Sequence, residues 1–203
     1  MLGGAVGAGD EHRTLAARAI AARGYHPFVP ADPHPVRRLT PDDIHAYIAI
    51  RRAMLLNAPW AFGASPEDDL GSNADEMSRA LADAAEECIL AVDHPTNPDE
   101  LIAVAGVRRA PKLKSRHRAW IWGVYVHPDH RAKGLGRAVT QAAIEAARNW
   151  PEVEVLSLSA SINSPAAIAL YESLGFQRWG VEPDATRVGG KSYDEVFMSM
   201  TLR

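Results

Sequence analysis

The sequence predicts a protein of the α/β class, with elements in the order β-α-α-β-β-β-α-β-α-β-β. Two observations carry that prediction. Short runs rich in β-branched and aromatic residues alternate with longer runs whose apolar residues recur at helical spacing, and turn residues punctuate the chain between them. In addition, a strand, a glycine-bearing basic loop and an amphipathic helix follow one another without a break from Ala119 to Asn149.

Taken in order, residues 1–35 read apart from the rest. Met1 to Gly9 is small and glycine-rich, without the basic start and apolar core of a signal peptide. Thr14 to Arg23 has the composition of a short helix that Gly24 would stop. Pro27, Pro30, Pro33 and Pro35 then make a stiff, extended connector. The segment is expected to be an N-terminal extension, either a flexible arm or one that packs on a neighbouring subunit.

The domain proper is expected from Val36, with a short strand to Leu39. Thr40 is placed as a helix N-cap, Pro41 at the first helical position and Asp42 and Asp43 in the first turn, where the helix dipole favours acids. Ile44, Tyr47, Ile48, Arg51, Met54 and Leu55 carry that helix to Asn57, and the stretch to Gly63 breaks it. Trp60 and Phe62 in the break are read as core plugs. A second helix is expected over Asn73 to Ala85, then strands at Glu87 to Val92 and Leu101 to Arg108. Lys112, Lys114, Arg116 and Arg118 form a basic connection that is a candidate to meet an anionic ligand, although such a run is more often a solvated hairpin tip. Beyond the central helix lie a strand at Val153 to Ala160 and a helix opened by Ser164 and Pro165, which Gly175 ends. Phe176 to Val181 and Tyr193 to Leu202 are the last two strands, joined through Gly189 and Gly190.

The central segment carries the chemistry. Trp120, Ile121, Trp122, Val124, Tyr125 and Val126 suit a pleated, buried strand. Leu135, Val139, Ala142, Ala143, Ala146 and Ala147 fall on one helical stripe. Between them runs Arg131-Ala132-Lys133-Gly134-Leu135-Gly136-Arg137. Gly134 and Gly136 let the backbone turn tightly and let another molecule approach main-chain N–H groups. The first helical turn leaves N–H groups unpartnered at the positive end of the dipole. With Arg131, Lys133 and Arg137 beside it, this is a seat for a pyrophosphate. Taken alone, the same residues also read as a basic, solvated helix start.

A second motif lies downstream, running from Asn163 through Ser164, Pro165, Ala166 and Tyr171 to Gly175 and Phe176. Strand, R-x-x-G-x-G, helix, strand and N-x-P-A-x-x-A-L-Y-E-x-x-G-F, in that order, resemble the GCN5-related N-acetyltransferase (GNAT) family. The resemblance is strongest over Ala119 to Phe176 and extends weakly back to Val36 and on to Arg203. It implies the GNAT-type acyl-CoA N-acyltransferase fold, with a mixed, twisted sheet, and an N-acetyltransferase domain over residues 36–203. The activity it implies is acetyl-CoA-dependent: an acetyl group moves to a primary amine of a small molecule or protein by direct transfer through a tetrahedral intermediate. Acetyl-CoA is then the acyl-donor co-substrate, and no metal is expected.

Residue by residue, the resemblance implies that the central strand bulges away from its neighbour. The freed N–H groups of Val124, Tyr125 and Val126 would hold the acyl carbonyl and the pantetheine arm, and Gly123 suits such a splay. Arg131, Ala132, Lys133, Gly134, Leu135, Gly136 and Arg137 would hold the diphosphate. Family members usually place Asn seven residues before the tyrosine to hold the pantetheine; here Ser164 stands at seven and Asn163 at eight, so either side chain is a candidate. Tyr171 would protonate the departing thiolate, its phenol having a reference pKa near 10. On this reading Trp60 and Phe62 line one wall of the acceptor site.

The proton acceptor is where the chain departs from the family. The places where relatives carry a glutamate fall at Ile121 and Leu158, and neither takes a proton. An alkyl amine with a pKa near 10 is neutral in only about one molecule in a thousand at pH 7, so a route for proton loss is needed. Asp194, Glu195, His127 and Tyr125 are the candidates, beside a water chain to bulk. A non-catalytic acyl-CoA-binding or sensing module of the same fold is the rival reading; the missing glutamates favour it and Tyr171 opposes it.

Composition bounds the rest. The chain's 203 residues suit one ordinary domain with an extension. Apolar residues at 47% with 23% charged allow a sizeable core, and a net charge of −3 gives no reason to expect nucleic acid. Cys88 is the single cysteine, which excludes an intrachain disulfide and suits a reducing cytoplasm. It lies in a strand-like run and reads as a buried thiol. No apolar run approaches membrane-spanning length, so no membrane partner is expected, and a homodimer is left open. Neither G-x-x-x-x-G-K-[ST], H-E-x-x-H nor G-x-S-x-G occurs. His127 and His130 straddle a Pro-Asp turn with no further ligands to complete a metal set.

Overall fold

The computed structural model describes residues 34–83 and 85–202, so the expectations for the first 33 residues lie outside the described residues. The strands are β1 (Arg37–Arg38), β2 (Glu87–Asp93), β3 (Leu101–Arg109), β4 (Arg118–Val126), β5 (Val155–Ser161), β6 (Gln177–Val188) and β7 (Lys191–Thr201). The helices are α1 (Ile44–Asn57), α2 (Ala74–Ala82), α3 (Leu135–Arg148) and α4 (Pro165–Ser173). Their order is the expected one.

Local chemistry explains most boundaries. Asp43 receives the Thr40 backbone N–H at 2.7 Å and anchors the turn that leads into α1. The Asn73 side chain accepts from the N–H groups of Asp75 and Glu76, so α2 starts one residue later than expected, with Asn73 as its cap. It also stops at Ala82 rather than Ala85. The last hairpin is longer than the periodicity suggests, because Gly189 and Gly190, with φ of +57° and +79°, form a two-residue turn that keeps Val188 paired with Lys191.

The seven strands form one sheet in the order β1-β2-β3-β4-β5-β7-β6. Every neighbouring pair is antiparallel except β4 and β5. That parallel pair is in register only from Arg118 opposite Val155 to Trp120 opposite Ser157, although both strands run on. β3 is apolar at nearly every position because it is covered on both faces.

One face carries α3 and α4. Leu135, Val139, Ala143, Ile144 and Ala147 pack there with Ile102, Ile121, Leu156 and Leu158. The alanines let the helix approach closely, and each large aliphatic side chain buried this way stabilises by about 1.5–3 kcal/mol. The opposite face carries α1 and α2, whose Tyr47, Ile50, Met54, Leu55, Met77 and Leu81 meet Ile89, Ala91, Val104 and Tyr125. Residues 89 to 92 of β2 alternate between the two cores, as strand geometry requires. Among the described residues no helix is long and apolar enough to cross a membrane.

Candidate active site

The site is organised by the gap that opens between β4 and β5. A bulge places Gly123 and Val124 of β4 opposite Ala105 alone on β3, since Trp122 pairs with Gly106 and Tyr125 with Val104. Gly123 adopts φ +59°, a conformation a side chain would strain. The bulge bends β4 just where its pairing to β5 has ended. The N–H of His127 bonds to the Ile102 carbonyl on β3 at 2.8 Å. Alternation along the strand therefore turns the N–H of Val126 the other way, towards the side β5 has left. The Tyr125 N–H faces β3 by the same rule, which sets it apart from the other two backbone donors expected here.

A groove of about 630 Å³ runs from this gap to the start of α3. Val124, Tyr125, Val126, Arg131, Ala132, Gly134, Leu135, Gly136, Arg137, Asn163, Ser164 and Tyr171 all line it. Two consecutive turns prepare the helix start: Ala132 at φ +60° and Gly134 at φ +83°, with Gly134 as the N-cap. Left-handed residues of this kind turn successive N–H groups into one concavity. Lys133 is the exception among the expected residues. It does not line the groove, and its ammonium donates to the Asp129 carbonyl at 3.1 Å.

The other two cations brace the seat. Arg131 donates to the Val126 carbonyl at 3.1 Å and to Asn57 Oδ1 at 2.6 Å, with its guanidinium 6.0 Å from the centre of the Tyr125 ring. Arg137 donates to Ser173 Oγ at 2.7 Å, tying α3 to α4. Ser164 occupies the N-cap position of α4 without making a capping bond from its hydroxyl. Tyr171 is 5% exposed and meets Phe176 edge-on at 6.2 Å. Burial pushes its phenol well above the ordinary range, so it is protonated at any working pH.

A second cavity, of about 250 Å³, lies at the same gap, and Val124, Phe62, Ala61, Ser164, Ala167 and Tyr171 line both. Ile121 and Leu158 border it, buried and without a carboxylate. Trp60 and Phe62 are both half-buried and both line the groove; Phe62 also lines the second cavity and packs against the core of α1 and α2, so for it the wall and core readings hold together. Glu195 on β7, opposite Ser161 of β5, lines this cavity. Asp194 does not; its Oδ1 accepts the N–H of Asp184 at 2.9 Å. His127 lines a separate cavity, together with His94 and His130. Among the described residues no group of His, Cys, Asp or Glu is arranged to hold a metal ion.

Arg51 of α1 also reaches the second cavity, a residue whose role sequence reasoning missed. Its Nε and one terminal nitrogen engage Asp69 at 2.9 and 2.6 Å, and the two side chains are 11% and 2% exposed. Burial pushes the Asp69 carboxyl up, but the Arg51 guanidinium more than offsets it and holds it below the usual range. The signal was an arginine on an otherwise apolar helical stripe, which demands a buried partner. The arginines at and before β4 are engaged in contacts of their own. Arg116 and Arg109 meet Glu86 at 2.6 and 2.7 Å, and Arg118 donates to Ser157 at 3.1 Å. Cys88 is half-buried, and burial pushes its thiol up, away from nucleophilic use.

A mixed sheet whose one parallel pair parts beside a glycine-led helix start defines a fold of the acyltransferase class. The chain belongs to the acetyltransferase (GNAT) family, whose family model matches residues 49–176. The chain is 35% identical over 79 residues to the L-amino acid N-acyltransferase MnaT of Escherichia coli, covering 39% of this chain and 45% of that protein. It is 31% identical over 169 residues to the mycothiol acetyltransferase of Renibacterium salmoninarum, covering 77% and 46%. The chain thus spans less than half the length of these curated relatives. Among solved structures it superposes on a ribosomal-protein-alanine N-acetyltransferase from Brucella melitensis with a TM-score of 0.70 and 25% identity, over 82% of this chain and 99% of that one. It shares its fold with a phosphinothricin acetyltransferase from Sinorhizobium meliloti solved in complex with AcCoA, with a TM-score of 0.69 and 18% identity, over 83% and 88%.

Proposed function

We propose that this chain is an acetyl-CoA-dependent N-acetyltransferase that acylates a primary amine of a small molecule or protein. The carrying observation is that two cavities meet at the gap between β4 and β5 with Tyr171 bordering both. One cavity ends on the positive start of α3, suited to a diphosphate. The other is smaller and suited to the acceptor.

The parts fit direct transfer. Gly134, Leu135, Gly136 and Arg137 would receive the diphosphate, and Asn163 or Ser164 the pantetheine amides. The Val124 and Val126 N–H groups, left without β5, would orient the thioester carbonyl and stabilise the oxygen as negative charge gathers on it. Such a donor is worth about 3 kcal/mol of barrier by mutational precedent. Tyr171, kept protonated, would supply a proton to the leaving sulfur. On this reading residues 36–203 are the transferase domain, residues 1–35 precede it as an extension, and the enzyme works in the cytoplasm.

The test is calorimetric titration with acetyl-CoA, followed by thiol release with L-methionine, phenethylamine, spermidine and a peptide bearing a free N-terminal alanine. Binding with amine-dependent release supports the proposal. Binding without release from any amine at any pH makes the chain a sensing module, and no binding ends both readings.

A further inference from the structure

We propose that Glu195 is the proton acceptor of the reaction, replacing the carboxylates absent at Ile121 and Leu158. The inference rests on the transferase reading and adds a residue to it. Of the four candidates that sequence reasoning left open, only Glu195 lines the smaller cavity. Asp194 is turned to the Asp184 backbone, His127 faces another cavity, and Tyr125 borders the groove with its phenol pushed up by burial.

The surroundings leave Glu195 available. Three titratable side chains line the cavity: Arg51, Tyr171 and Glu195. Arg51 is committed to Asp69 through two hydrogen bonds, so the pair contributes no net charge. Tyr171 is neutral. Among the described residues no ion pair or side-chain hydrogen bond engages Glu195. The groups that face it from adjoining strands are Ser161 on β5 and Glu182 on β6, with Asp194 beside it on β7, and none is a cation. The cavity therefore carries one unneutralised negative charge, which suits an acceptor arriving as an ammonium ion. Trp120 and Trp122 line the same cavity.

The steps balance. The ammonium gives one proton to Glu195, directly or through one water, and the neutral nitrogen forms its bond to the acetyl carbon. The carbon–sulfur bond breaks as the thiolate takes a proton from Tyr171. The second proton shed by the nitrogen restores Tyr171, and Glu195 returns its own to solvent.

The experiment is the pH profile of kcat/KM for the four amines above, with wild type, Glu195→Gln and Asp194→Asn, and with acetyl-CoA affinity measured alongside. Glu195→Gln is expected to bind acetyl-CoA as wild type does and to lose about 100-fold or more in kcat/KM near pH 7. That deficit should shrink as pH rises towards about 10, where the amine arrives already neutral. A structural role would lower the profile evenly at every pH, and Asp194→Asn should follow wild type throughout. Parallel profiles for Glu195→Gln and wild type, with acetyl transfer intact, overturn this inference and leave the transferase reading standing. No transfer by wild type from any amine overturns both.

Discussion

Adding one methyl group at Gly106 tests whether the β3–β4 pairing shapes the smaller cavity. A Cβ there would lie 2.3 Å from one carbon of the Trp122 indole and 2.6 and 2.7 Å from two more of its atoms. Ordinary contact begins at 3.4 Å, so the ring must retreat by about 1.1 Å. Trp122 sits on β4 directly opposite Gly106, lines the cavity and packs with the core of α1 and α2. It also lies under Arg51, whose guanidinium is 5.9 Å from its ring centre. The ring must shift against the core or into the cavity it lines, and overpacking of this kind costs about 1–3 kcal/mol. For a domain of this size that lowers the melting temperature by about 2–12 °C. The groove proposed to hold acetyl-CoA is not lined by Trp122. Gly106→Ala should therefore melt earlier and raise the KM for the amine while leaving acetyl-CoA affinity unchanged. Differential scanning calorimetry, calorimetric titration and thiol release measure the three quantities. A variant that melts within a degree of wild type with unaltered amine KM would refute the reasoning.

Other outcomes follow from the same geometry. Gly136→Glu should lose acetyl-CoA affinity by about 100-fold or more, because it sets a carboxylate at the positive helix start; a Cβ there makes only ordinary contacts, 3.5 and 3.6 Å from Leu170 and Val126, so melting should stay close to wild type. Undiminished affinity in titration counts against the diphosphate seat. Tyr171→Phe should bind acetyl-CoA normally and slow kcat by about 100-fold, and unchanged turnover removes the proton donor. Asp43 is held down to about 2 by the Arg37 guanidinium and by Thr40. A depressed carboxyl stabilises above its unfolded pKa and loses that contribution as pH falls towards its folded one. The difference in melting temperature between wild type and Asp43→Asn should thus hold steady above about pH 5 and narrow below about pH 4. A gap that widens on acidification contradicts the assignment.

The parts of the site that sequence made legible are those encoded within one or two turns of chain. Gly134 must tolerate a positive φ, Thr40 and Asp43 close the turn that leads into α1, and the spacing of Tyr171 from the start of its helix is settled by local geometry. The amphipathic pattern of α3 and the continuous apolar run of β3 likewise reflect local burial, which is why both elements were placed within a residue or two. The extent of β6 was not legible, since its exposed, polar residues carry no burial pattern and only pairing with β7 holds them extended.

By itself the sequence determined the order of elements, the helix start that suits a diphosphate, the tyrosine beside it and the absence of a carboxylate at Ile121 and Leu158. Tertiary structure decided which face each cation serves. It turned Lys133 to Asp129 and used Arg131 and Arg137 as braces, choices that depend on Asn57 and Ser173, far away in the chain. It also decided that β7 inserts between β5 and β6, and so brings Glu195 opposite Ser161 at the edge of the gap. The physical reason is that capping, turning and helical spacing are short-range properties of neighbouring residues. Strand register and the parting of β4 from β5 emerge only when segments distant in sequence compete to bury the same two faces of one sheet.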